Sequence, residues 1–118
     1  MTACAIHIPL PPSLNNIFFN KPHGGRAKTT DYKNWLDQTA WEIRAQRPPV
    51  FKGDVSVDLL IERPNGSSDI DNRIKGVLDA LQRAGVIEND KRVVDIRARW
   101  AKVTGCDITV LSNDEAAA

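Results

Sequence analysis

Apolar residues alternate with polar ones near both ends of the chain and follow a helical rhythm twice in between. Cys4, Ile6 and Ile8 alternate with Ala3, Ala5 and His7, the period of two expected of a strand over 3–8, which Pro9, Pro11 and Pro12 close. From Pro11 to about Thr30 no period holds. Pro, Asn, Gly and basic residues read as a long loop with Gly24-Gly25 at its tip, and a loop of that length in a small domain is functional or disordered. Thr30 or Asp31 then caps a helix whose face is Tyr32, Trp35, Leu36, Thr39, Ala40 and Ile43, at i, i+3, i+4, i+7, i+8 and i+11. Pro48-Pro49 ends it. Val55, Val57, Leu59 and Ile61 alternate with Ser56, Asp58, Leu60 and Glu62 as a second strand, and Pro64–Ser68 is a turn. A second helix over about 71–84 buries Ile74, Val77, Leu78 and Leu81, with Gly85 as its left-handed stop. A strand over about 93–102 turns Val94, Ile96, Ala98 and Trp100 to one side and Val93, Asp95, Arg97 and Arg99 to the other. A last strand runs from Cys106 to Leu111, and 113–118 reads as a frayed tail.

The order is therefore β-α-β-α-β-β, with no repeat and no linker. It predicts an α+β fold: one small domain over 1–118, a mixed sheet and helices packed on one face. At 118 residues the chain can bury one core and not two. No apolar run approaches the roughly 20 residues that span a bilayer, and the N-terminus has no signal-peptide pattern, so no membrane partner is expected and cytoplasmic residence is the default. Cys4 and Cys106 stand in strand contexts without a CxxC or a nearby His, and read as buried thiols.

Asp69-Ile70-Asp71-Asn72-Arg73-Ile74-Lys75 carries the chemistry. Alternate residues of an extended segment project to one side, so Asp69 and Asp71 can grip one hard cation together. A helix beginning near Asp71 puts Lys75 one turn further along the same face. Two oxygen ligands beside an ammonium suit a site that holds Mg²⁺ and a phosphate at once. Either aspartate could instead cap the helix. One suffices for a cap, however, and the second adds like-charge repulsion that a divalent ion relieves. Asp90, in a polar turn after the chain reverses at Gly85, can serve as a third carboxylate or as a turn residue. Asp79 lies at i+4 from Lys75 and could pair with it and draw it from catalysis. Asp95, on a strand face with Arg97 and Arg99, suits a salt bridge.

The net charge is +1, yet its distribution is uneven. Lys21, Arg26, Lys28 and Lys33 gather in the early loop, and Lys91, Arg92, Arg97, Arg99 and Lys102 form a second basic group. Asn15, Asn16, Lys21, Arg26 and Lys28 are candidates for contacts to a nucleic-acid backbone, with a solvated loop as the alternative. Arg97 and Arg99 are candidates on the strand. Trp35, Trp41 and Trp100 suit the core or a subunit interface, and Trp41, off the helical stripe, suits an interface.

The run from Asp69 to Lys75, followed by Leu78-Asp79-Ala80-Leu81, Ala84-Gly85-Val86, Asn89-Asp90 and Val93-Val94-Asp95, resembles the core of the RusA family of Holliday junction endonucleases. Pro11-Pro12-Ser13-Leu14-Asn15-Asn16 resembles that family's N-terminal signature. The resemblance spans most of the chain, with motifs in order. It implies a homodimeric nuclease, dependent on Mg²⁺ with Mn²⁺ as a substitute, that resolves four-way DNA junctions by paired nicks. Carried over residue by residue, it implies that Asp69, Asp71 and Asp90 bind the metal and that Lys75 is the essential lysine. The chain departs from the family pattern in its near-neutral charge and in Asn89, where an acid can stand. Two rivals accompany this expectation: a metal nuclease preferring flaps or single strands, and a catalytically silent branched-DNA-binding module in which the aspartates only cap and turn.

Overall fold

The computed structural model describes residues 2–113. Its strands and helices are β1 (Ala3–Ile8), β2 (Phe18–Asn20), β3 (Arg26–Lys28), α1 (Thr30–Ala45), β4 (Val55–Glu62), α2 (Asp71–Arg83), β5 (Val93–Ala101) and β6 (Cys106–Ser112). The main sheet has the order β1-β6-β4-β5. β6 is antiparallel to both β1 and β4, while β5 runs parallel to β4. A parallel neighbour needs a crossover, and α2 is that crossover. The result is the expected α+β domain with a mixed sheet.

β4 shows why the alternation is so clean. Val55, Val57, Leu59 and Ile61 are buried in the core, and the residues between them are only half-buried. The buried side meets α1 through Tyr32, Leu36, Ala40 and Ile43, and α2 through Val77, Ala80 and Leu81. The other side of the sheet carries Ser56, Asp58 and Leu60, with Asp95, Arg97 and Arg99 in register on β5.

Several local expectations need correcting. Thr29, one residue earlier than expected, caps α1: its Oγ1 accepts the Tyr32 N–H at 3.2 Å. Its hydroxyl donates to the Asn16 carbonyl at 3.1 Å, so the cap also ties the preceding segment down. That segment is no open loop. It contains a 3-10 turn over Leu14–Asn16 and the hairpin β2–β3, whose tip uses positive φ at Gly24 and Gly25. Three-residue strands are too short for a period of two to show.

In α2 the fully buried residues are Gly76, Val77, Ala80 and Leu81, while Ile74 and Leu78 are only half-buried. A Cβ on Gly76 would stand 2.7 Å from the Pro11 Cβ, so the chain after β1 packs directly on the helix where no side chain intervenes. Gly85 does end the helix at φ 80°. Its N–H donates to Gln82 O and that of Val86 to Leu81 O, both at 3.0 Å, the paired bonds of a Schellman stop.

β5 ends at Ala101 and carries a bulge: Val55 pairs with Val93 and Ser56 with Asp95, leaving Val94 as the extra residue. Ile96, Ala98 and Trp100 then share the helix side, as the alternation requires. Because β5 is an edge strand, Val94 and Ile96 remain exposed. Asn113 is tied down rather than frayed. Its N–H donates to Asp54 O at 2.9 Å, and its side chain accepts the Ser56 hydroxyl at 2.7 Å. The rest of the expected tail, 114–118, lies outside the described residues. Cys106 is buried, Cys4 half-buried, and both are free. Among the described residues no helix is long and apolar enough to cross a membrane.

Candidate active site

β4 delivers the chain to the polar turn at 63–70, and α2 begins at Asp71. The first backbone N–H groups of a helix lack intrahelical acceptors and form its positive end. Ile70 is the N-cap residue and contributes no side-chain bond. Neither Asp69 nor Asp71 therefore caps α2. Both are exposed, and neither carboxylate has a hydrogen bond or ion pair with another described side chain. Of the two expectations for the aspartate pair, the capping one is not what the structure has.

Lys75 occupies the next turn, and its ammonium runs along the helix toward the C-terminus. Nζ donates to Asp79 Oδ1 at 2.9 Å, and Asp90 Oδ2 stands 3.9 Å away. Asp79 is held from its other side, because the hydroxyl of the fully buried Tyr32 donates to Asp79 Oδ2. Burial first, and Asp79's hydrogen bond and charge second, push the Tyr32 hydroxyl well above the ordinary tyrosine range. It therefore acts as a donor over the whole working pH range. The tyrosine ring is itself fixed, stacked on Trp35 with centroids 6.1 Å apart and edge-on to Phe18 at 6.3 Å.

Asp90 reaches this place through the reversal at Gly85. It starts a 3-10 turn over Asp90–Arg92, and Asn89 caps that turn by accepting the Lys91 N–H at 2.9 Å. The Asp90 N–H donates to Gln82 Oε1 at 3.3 Å, which sets Asp90 beside the second half of α2. Asp71 lies about 12 Å up the helix axis from Asp79 at the usual rise per residue. The structure thus joins Lys75 to Asp90 and leaves Asp69 and Asp71 at the start of the helix. Among the described residues no three His, Cys, Asp or Glu side chains are gathered closely enough to enclose an ion.

The donor set still fits a hard cation. Mg²⁺ prefers carboxylate oxygens, keeps several waters, and is usually held by one or two carboxylates together with substrate phosphate. Two exposed aspartates one residue apart, unpartnered among the described residues, have the required chemistry without a closed cage, and Lys75 follows in the next helical turn.

The basic candidates divide between two surfaces. Pro11 O accepts a hydrogen bond from Arg73 of α2, and this contact, with the close approach at Gly76, fixes the segment bearing Asn15 and Asn16 against α2. The hairpin then carries Lys21, Arg26 and Lys28 on the helix layer. The Arg26 guanidinium lies 4.5 Å from the centre of the Phe18 ring, a cation–π contact. Lys28 lines a cleft of about 180 Å³ with Leu36, Asp79, Gln82 and Arg83, so the hairpin borders the Lys75 cluster. Arg97 and Arg99 project from the opposite side of the sheet. Arg99 lies 3.8 Å from Asp58, and Asp95 has no salt bridge with its strand neighbours among the described residues. The two basic groups read from the sequence therefore lie on opposite sides of the sheet within a protomer.

Tyr32 had no functional reading from sequence, where it belonged to the apolar stripe of the first helix. Asp79 was visible only as a competitor for Lys75. The i,i+4 spacing signals the Lys75–Asp79 pair, but nothing local signals a bond between residues 47 positions apart.

Comparison with known proteins adds an independent line. The family model described as "Endodeoxyribonuclease RusA" matches residues 9–111. A crossover junction endodeoxyribonuclease RusA of Aquifex aeolicus (strain VF5) is 36% identical over 96 residues, covering 75% of this chain and 71% of that protein. A protein of the same name from Enterobacteria phage HK97 is 32% identical over 105 residues, covering 83% of each. The match takes in the hairpin, both helices and every carboxylate considered above.

Proposed function

The chain belongs to the RusA family of endodeoxyribonucleases, and from that premise we propose that it is a divalent-metal-dependent endonuclease resolving four-way DNA junctions by paired, symmetric nicks. The observation that carries this reading is the placement of Lys75. Its ammonium stands between the largely buried carboxylate of Asp79 and the exposed one of Asp90, and the residue itself follows Asp71 by one helical turn.

In this reading Asp69, Asp71 and Asp90 hold Mg²⁺, for which Mn²⁺ can substitute. When bound, the ion supplies a water of lowered pKa and a counter-charge for the scissile phosphate. Asp69 and Asp71 face solvent and are accessible to an incoming phosphate group. Lys75 stabilises negative charge that develops on that phosphate, an electrostatic contribution typically among the largest in phosphoryl chemistry. Asn15, Asn16, Lys21, Arg26 and Lys28 contact the DNA backbone beside the cleft. Arg97 and Arg99 contact it on the far side of the sheet, where a different arm of the junction can lie. Two symmetric cuts require two sites, so the working form is a C2 homodimer. Its place of action is the cytoplasm, where its DNA substrate is.

The test is a Mg²⁺ titration on a synthetic four-way junction, with linear duplex, flap and single-stranded DNA alongside. The reading expects cleavage that needs the metal and is selective for the junction. Junction affinity without metal-dependent nicking at any concentration would make the chain a binding module. Cleavage favouring the flap or the single strand would make it a nuclease of another specificity.

A further inference from the structure

Lys75 is a long, flexible side chain of high rotamer entropy, yet the chemistry proposed for it needs its ammonium in one place. We propose that Asp79 and Tyr32 are positioning residues for Lys75: the buried hydroxyl fixes Asp79, and Asp79 fixes the ammonium beside Asp90. This rests on the nuclease reading for its consequence but not for its geometry.

The geometry is specific in three respects. Asp79 is largely buried, with 14% of its side chain exposed, whereas Lys75 and Asp90 are exposed by 40% and 45%. Asp79 is therefore poorly placed to take an exchangeable ion and well placed to act as a fixed anchor. Each of its two oxygens has one partner, Lys75 on Oδ1 and Tyr32 on Oδ2, so the carboxylate cannot rotate without losing a bond. Tyr32 has no freedom either. It is fully buried, with its ring between Trp35 and Phe18 and its N–H on the Thr29 cap. The anchor thus runs from the start of α1 to the middle of α2.

The other polar features of the surface do not make such an assembly. His7 and Asp107 pair on the exposed side of the sheet, and Arg83 and Asp37 bridge the two helices at their outer surface. Neither directs a group toward the site. Among the described residues, Asp79 alone connects a buried donor to an exposed ammonium.

Two measurements test the proposal, one of them independent of activity. In the wild-type protein the Lys75 side-chain ¹⁵Nζ resonance should be resolved by NMR and slow in solvent exchange. Asp79→Asn should merge it with the free lysines, and Tyr32→Phe should shift it and speed its exchange. In cleavage assays at saturating Mg²⁺ and saturating protein, Asp79→Asn should lower the single-turnover rate about 10- to 100-fold, as misplacement of a reacting group does. Tyr32→Phe should lower it about threefold to tenfold, in line with one hydrogen bond. Junction affinity should stay within about twofold in both. If Asp79→Asn does not fold, Tyr32→Phe decides by the same two readouts. An unchanged Lys75 resonance, or unchanged rates with the resonance altered, would overturn the positioning role. Absence of metal-dependent cleavage in the wild type, with the resonance behaving as expected, would instead overturn the nuclease reading and leave the anchor standing.

Discussion

At the scale of single residues, the aspartates of the site differ in what surrounds them, and the difference predicts how each tolerates change. Asp69 and Asp71 are exposed and form no bond with another described side chain, so Asp69→Asn and Asp71→Asn should leave folding untouched. Among the described residues the Asp90 carboxylate holds only a long contact to Lys75, and Asp90→Asn should behave likewise. If these three hold the metal as proposed, removing one should cost at least as much as removing a ligand's outer partner, so cleavage should fall by more than about a hundredfold in each. Junction binding should hold or strengthen, because negative charge near phosphate is lost. Cleavage by any one of them at the wild-type rate would remove that residue from the metal set. Lys75→Ala should lower the single-turnover rate by about 10²–10³-fold with little change in affinity. A loss confined to affinity would make Lys75 a plain DNA contact.

Cys106 gives a pH prediction of another kind. Burial, and then the neighbouring Asp107 carboxylate, push its thiol up from 9.0 to about 12. The raised value favours the protonated form in the folded state. The unfolded chain gives up this proton first, near pH 9, so this contribution to stability is full below that pH and declines as pH climbs toward 12. Unfolding followed by urea between pH 8 and 11 should show that decline in the wild type, and a smaller one in Cys106→Ala. Equal declines would show that another group dominates.

Among the elements, α2 is the one whose sequence says most and misleads most. Its start at Asp71, its stop at Gly85 and the Lys75–Asp79 spacing are all legible, because each depends on residues within one or two turns. The burial of Gly76 is not legible, because it depends on Pro11, which is far away in sequence and contributes no helical period. Ile74 and Leu78 look like the better core residues on hydrophobicity alone. They lose that position because the Pro11 segment packs where a small residue lets it come close. Gly76→Ala measures this directly. Alanine favours a helix interior by about 1 kcal/mol, but a Cβ 2.7 Å from a rigid proline ring brings an overpacking cost of about 1–3 kcal/mol. A net destabilisation of about 1 kcal/mol is expected from urea unfolding. A gain in stability would mean that the Pro11 segment gives way freely. The β2–β3 hairpin is hidden for a related reason: its strands are short, and Thr29 and Tyr32, the latter against Phe18 of β2, hold it from outside its own sequence.

For the whole molecule, the basic residues form two separate surfaces. The hairpin group borders the Lys75 cluster on the helix layer, and Arg97 and Arg99 lie across the sheet. The sequence reveals the two groups but not their separation, which arises from β5 alternating about an edge that β4 positions. Salt dependence separates the two surfaces. Arg26→Ala and Lys28→Ala should each flatten the plot of log affinity against log salt by about one unit. Arg97→Ala should do the same if a second junction arm reaches the open sheet face, and Arg99→Ala should do less, since Asp58 already faces it at 3.8 Å. An unchanged slope in the hairpin variants would move the DNA surface off the helix layer altogether.

The central claim is that this fold cuts both sides of a junction within one binding event. A supercoiled plasmid that extrudes a cruciform tests it most directly, because two coordinated nicks convert it to the linear form, while a single nick leaves a relaxed circle. With Mg²⁺ present, the wild-type protein should give linear product from the outset and none when the metal is chelated, with Asp71→Asn inactive throughout. Relaxed circles as the sole product, or linear product that survives chelation or the Asp71 substitution, would contradict the account.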